Sequence, residues 1–114
     1  MAAAHPRVTG FEARLSAAER HDVYADLFES QNRMGDARAE ARLAGDSYRD
    51  AAYAIIPATA HEPADLILGD AAVRLMDAAG RAYQRGRSAK KAERAYDLAE
   101  RWASFNAHAR LHVT

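Results

Sequence analysis

The sequence predicts an all-α domain in which two helical hairpins pack as a four-helix bundle. Three observations carry that expectation. Apolar residues recur at steps of three and four along most of the chain. About a quarter of the 114 residues are alanine, the strongest helix former. Turn residues punctuate the pattern at Gly35 and Gly86, and the segment Pro57–Pro63 (PATAHEP) separates the two halves.

The first element is expected after a polar arm. Residues 1–14 are read as flexible, 15–109 as one helical domain and 110–114 as a fraying end. Thr9 with Glu12, and Ser16 with Glu19, have capping-box spacing, and Ser16 is taken as the main cap. The first long helix then runs from Ala17 to about Arg33, with Val23, Tyr24, Leu27, Phe28 and Gln31 along one side. Met34 and Gly35 close it.

Asp36 is expected to cap the second helix. Its stripe is Ala37, Ala41, Ala44, Tyr48, Ala52 and Ile55. The stripe stays in phase across Gly45-Asp46, which favours one continuous or gently kinked helix. The pattern stops at Ile56-Pro57, because a residue before proline is pushed out of helical geometry.

The third helix runs from about Asp70 to Arg85, with Ala64 to Gly69 as an early start or a separate turn. Leu68, Ala72, Leu75, Met76, Ala79, Ala82 and Tyr83 share one face. Gly86 suits a left-handed helix end. Ser88 is placed to cap the fourth helix, whose apolar positions are Ala92, Ala95, Tyr96, Ala99, Trp102, Ala103 and Phe105. Alanine on both facing stripes lets the backbones approach, and Tyr83, Tyr96 and Trp102 fill the remaining volume as core.

This second hairpin resembles one tetratricopeptide repeat, over about residues 73–106. Gly80, Tyr83, Ala92, Tyr96 and Ala99 match the small and aromatic packing positions of that family. Gly86 comes one residue early, Met76 stands where tryptophan is usual, and no proline follows the second helix. The resemblance implies binding of protein or peptide and no chemistry. The turns at Gly35 and Gly86 lie 51 residues apart, whereas a regular array repeats every 34 or so. Asp46 and Arg49, one period before Gly80 and Tyr83, match nothing. A bundle is therefore expected over an extended solenoid.

The formal charge is zero, which argues against a nucleic-acid or membrane binder driven by net charge. Residues 1–56 carry seven Arg and nine acids, and residues 57–114 carry nine Lys and Arg and seven acids. The resulting dipole suits one half packing on the other, or head-to-tail association. Cysteine is absent, which excludes disulfides and thiolate metal sites and fits a reducing compartment. With no membrane span or secretion signal visible, a cytoplasmic protein is expected. Arginine far exceeds lysine, as in bacterial or phage proteins from high-GC genomes.

Catalytic machinery is not visible. There is no Gly-x-Ser-x-Gly and no phosphate loop, so the chain is not read as an enzyme. His108 and His112 share a helix face but make only two ligands, so neither a metal nor a cofactor is expected. Asp70–Arg74, Asp77–Arg81 and Asp97–Arg101 have the acid-before-base spacing of a solvated helix face.

One group stands out. Arg85, Arg87, Lys90, Lys91 and Arg94, with Arg81 one turn before, surround the Gly86 turn with only Glu93 among the last five. Lys90 and Lys91 lie in the first turn of a helix, where the macrodipole disfavours positive charge. The six cations are read as a site for an acidic or anionic partner. The function expected is a non-enzymatic protein–protein interaction or small regulatory or adaptor helical domain, and a homodimer is expected. The alternative is a nucleic-acid-associated accessory protein using Arg85–Arg94.

Overall fold

The computed structural model describes residues 6–57 and 60–112. Four helices account for nearly all of them: α1 (Pro6–Ser30), α2 (Met34–Ile55), α3 (Pro63–Arg85) and α4 (Ala89–Arg110). The fold class is the one the sequence predicts. Short turns join α1 to α2 and α3 to α4, and the two hairpins pack together as an all-α bundle.

The bundle is open. Helix α1 packs on α2, α2 on α3 and α3 on α4. The molecule extends 52 × 37 × 16 Å. Contacts also skip one helix: Arg85 of α3 reaches Asp26 and Glu29 of α1, and Lys91 of α4 reaches Asp46 of α2. Among the described residues, α2 and α3 each have two main packing neighbours, and α1 and α4 have one each.

Alanine makes this close packing. Ala41, Ala44, Ala51, Ala52, Ala72 and Ala79 are completely buried. The main core joins Ala52 of α2, Met76, Ala79 and Tyr83 of α3, and Ala92, Ala95 and Ala99 of α4. The expected stripes of α2 and α3 are therefore the buried ones, with Tyr48, Leu68 and Leu75 half-buried. Glycine supplies the rest of the space. A Cβ on Gly45 would stand 2.6 Å from the Tyr83 ring, and one on Gly80 would stand 2.7 Å from the Tyr96 ring. Helix α2 is continuous through Gly45.

Several expectations are corrected. Helix α1 begins at Pro6, so residues 6–14 are helical and Ser16 lies inside the helix. Proline is tolerated in a first turn, and the alanines and charged residues that follow propagate the helix through both capping boxes. Residues 1–5 and the end of the expected fraying tail, 113–114, lie outside the described residues.

The buried side of α1 also differs. Ala18 and Ala25 are buried, whereas Val23, Tyr24 and Leu27 are 63, 49 and 47% exposed. Two polar bridges fix this choice. His21 Nδ1 lies 2.6 Å from Glu40 Oε2, and the Tyr48 hydroxyl donates to Asp22 Oδ2 at 2.5 Å. Small residues and bridges, rather than the bulkiest side chains, face α2.

Helix α2 starts at Met34, and Asp36 sits in its first turn, paired with Arg33 at 2.7 Å. Helix α3 takes the early start, from Pro63, under a reciprocal capping box between Glu62 and Asp65. Gly86, expected to be left-handed, is not. Asn32 (φ 59°) and Arg87 (φ 57°) hold that conformation, while Gly86 has φ −79°. Gly86 is needed for proximity: a Cβ there would stand 2.5 Å from Arg42 Cγ and 3.0 Å from the Arg38 carbonyl oxygen.

In α4, Ala103 and Phe105 are exposed, and Asn106 and Ala109 are buried in their place. Trp102 is half-buried at the edge of the core, where it meets Tyr53 edge-on at 5.5 Å. The expected core position of Trp102 is thus corrected to the margin: the ring packs against the core and stays partly exposed.

Candidate functional site

Helices α3 and α4 meet at a turn tied down by backbone bonds. The Gly86 N–H donates to Ala82 at 2.9 Å, Arg87 to Gln84 at 3.0 Å and Ser88 to Tyr83 at 2.8 Å. Arg42 of α2 donates to the Gly86 carbonyl at 2.9 Å. Ser88 precedes α4 but makes no side-chain cap.

The six cations expected to form one site are divided by this geometry. Arg85 turns toward α1 and donates to Asp26 at 2.6 Å and Glu29 at 2.8 Å. The hydrogen bond to Glu29, more than that to Asp26, holds its guanidinium above its ordinary pKa. Arg85 is therefore compensated, contrary to expectation, and acts as a strut between the two hairpins. Arg81 lines a cleft of about 200 Å³ with Asp22, Tyr48 and Arg85. Arg87 lines another with Glu29, Met34, Arg38 and Arg85. Lys90 is exposed.

Lys91 and Arg94 go elsewhere. They line a cleft of about 170 Å³ that spans α2, α3 and α4, together with Arg49, Tyr53, Met76, Tyr83, Ala95 and Leu98. Met76 and Tyr83, each 1% exposed, form its floor. Tyr53 and Arg49 come from α2, and Lys91, Arg94 and Leu98 from α4. Trp102 backs Tyr53 at one end.

Asp46 organises the polar side of this cleft. It accepts from the Tyr83 hydroxyl at 2.6 Å and from Lys91 at 3.4 Å, and lies 3.5 Å from Arg49. Arg49 also donates to the Tyr83 oxygen at 3.2 Å and to Asp50 at 3.2 Å. Lys91 Nζ sits 5.5 Å from the centre of the Tyr83 ring. Two carboxylates thus hold Arg49 and Lys91 in place, and Arg94 makes no ion pair among the described residues.

Burial, then the hydrogen bond to Asp46, pushes the Tyr83 phenol well above the usual range. Burial and the bond to Asp22 do the same for Tyr48. Both phenols stay neutral near pH 7 and suit holding a structure rather than moving protons. No three potential metal ligands gather among the described residues. His108 and His112 stack edge to face at 5.0 Å. Of the expected solvated pairs, Asp97–Arg101 forms at 2.8 Å, while Asp70 turns instead to Arg110 and Asn106.

Sequence reasoning missed Arg49, Tyr53 and Asp46 as site residues. They reach the site through the packing of α2 on α3 and α4. Both Arg49 and Asp46 contact the Tyr83 hydroxyl. The cleft is smaller than the roughly 300–1,000 Å³ of small-molecule pockets, a volume that one large side chain would fill. Its cationic mouth and apolar floor suit an apolar group beside a carboxylate.

Compared with family models, curated proteins and solved structures, the chain matches none. No helix among the described residues is long and apolar enough to cross a membrane.

Proposed function

We propose that this protein is a non-enzymatic interaction domain that takes an acidic segment of a partner protein on the cleft between α2 and α4. The observation that carries this reading is the placement of Arg49, Lys91 and Arg94 around an apolar floor of Met76 and Tyr83. An apolar side chain of the partner enters above Tyr83, and the adjacent carboxylate meets Arg94 and Arg49. Arginine suits that role, since its planar fork engages a carboxylate at two points. The ledge of Tyr53 and Trp102 adds aromatic surface of the kind that anchors interfaces.

The reading is tested with an array of capped peptides that carry one Leu, Phe or Met among Glu residues. Wild-type protein is expected to be retained on acidic peptides with an apolar residue, and less so as salt rises. An Arg49→Glu/Arg94→Glu double variant is expected to lose that retention. Equal retention of the variant, or none by the wild type, overturns the proposal.

A further inference from the structure

The α3–α4 turn lies against α2 rather than in open solvent. A Cβ on Gly86 would stand 3.0 Å from the Arg38 carbonyl oxygen, and Arg42 donates to the Gly86 carbonyl at 2.9 Å. This approach sets Arg38 and Arg87, far apart in sequence, on one cleft of about 200 Å³, which Arg85 also lines. Its guanidiniums come from α2, α3 and the turn. Glu29 is the one carboxylate in the lining, and Arg85 already holds it at 2.8 Å. Arg38 and Arg87 make no ion pair among the described residues.

The backbone adds an independent sign. Arg87 is left-handed, at φ 57°. The α1–α2 turn uses Asn32 for that conformation, a residue that adopts it readily. Arginine does not, and glycine would hold it without strain. The Arg87 side chain is thus kept against the preference of its own backbone.

We propose that this cleft binds a phosphomonoester group, its oxygens held by Arg38 and Arg87. Near pH 7 such a group carries about −1.5 to −2 charges and three acceptor oxygens. Two guanidiniums without ion-pair partners match that charge, and each can donate two parallel N–H bonds. A carboxylate, or a diester phosphate of a nucleic acid, carries a single charge and leaves one cation unmatched. Three arginines against Glu29 give the lining a positive excess. Asp26, the other partner of Arg85, lies outside the lining with its side chain 71% exposed, so solvent screens it. The site shares no lining residue with the α2–α4 cleft and stands apart from the reading of that cleft.

The test is an amide chemical-shift titration of the labelled full chain at constant ionic strength. The probes are inorganic phosphate and a capped peptide of one phosphoserine among glycines. Saturable shifts are expected at Ala37, Arg38, Arg87 and Ser88, and none at Arg49 or Leu98. Equal affinity for the two probes identifies free phosphate as the ligand, and tighter binding of the peptide identifies a phosphorylated side chain. Arg38→Gln and Arg87→Gly are each expected to weaken binding about tenfold or more, as loss of a charge-assisted bond does. Arg87→Gly relieves the left-handed strain, so it should melt no lower than wild type while binding less. Absence of saturation with both probes, variants that bind as wild type does, equal binding of the unphosphorylated peptide, or tighter binding of a single-stranded oligonucleotide overturns the proposal.

Discussion

Tyr83 lies across the backbone of Gly45. A Cβ on Gly45 would stand 2.6 Å from Cδ1 and 2.7 Å from Cε1 of the ring. This one contact brings α2 against α3, places the Tyr83 hydroxyl beside Asp46 and Arg49, and makes the ring the floor of the cationic cleft. The packing of the hairpins and the shape of the site therefore depend on the same pair.

Gly45→Ala is expected to destabilise the protein. In an open helix the change would gain about 1 kcal/mol from propensity. Here the methyl group overlaps a buried ring, and overpacking costs about 1–3 kcal/mol. The net loss expected in urea unfolding is about 1 kcal/mol. In a Tyr83→Ala background, where the ring is absent, Gly45→Ala should instead be stabilising. A stabilised single variant would contradict the contact.

Stability should fall at alkaline pH through Tyr48 and Tyr83. Burial and acidic hydrogen-bond partners raise both phenols above their ordinary pKa. The unfolded chain releases these protons near pH 10, while the native chain keeps them. Above that pH the native state binds more protons, so stability declines as pH rises. Tyr48→Phe/Tyr83→Phe removes both groups and should flatten the decline above about pH 10. An unchanged slope would assign the decline to other groups.

Trp102, the single tryptophan, is half-buried against Tyr53. Trp102→Ala should cost about 1–3 kcal/mol, below the 3–5 kcal/mol of a fully enclosed aromatic. Its emission should lie between the buried and exposed limits. A maximum typical of free indole would place it wrongly.

The two adjacent lysines should behave differently. Lys90 is exposed in the first turn of α4, so Lys90→Glu should raise stability by tenths of a kcal/mol through the macrodipole. Lys91 meets Asp46 and the face of Tyr83, so Lys91→Glu sets two acids together at the cleft. That repulsion offsets the dipole gain, and thermal melts should show Lys91→Glu less stable than Lys90→Glu. The reverse order would argue that the Lys91 contacts contribute nothing.

Helical periodicity made the elements legible wherever the buried stripe was also the apolar one, as in α2 and α3. It failed on α1 because alanine and two polar bridges face α2 there, and a pattern of large side chains points the other way. Glycine was legible as a marker and misread in its role. Gly86 permits close approach to Arg42, while Arg87 supplies the left-handed turn. The site was half legible. Lys91 carried a local signal, an unfavourable charge at a helix start, with Arg94 one turn beyond it. Arg49 and Tyr53 joined them only through the packing of α2 beside α4 across α3, which charge spacing along one helix does not encode.

The most direct test of the cleft is an amide chemical-shift titration of the labelled protein with a capped acidic peptide containing one leucine. The account predicts saturable shifts at Arg49, Tyr53, Lys91, Arg94 and Leu98, and their loss in the Arg49→Glu/Arg94→Glu variant. Shifts centred instead on Arg81, Arg85 and Arg87, or no saturable shifts at all, would contradict it.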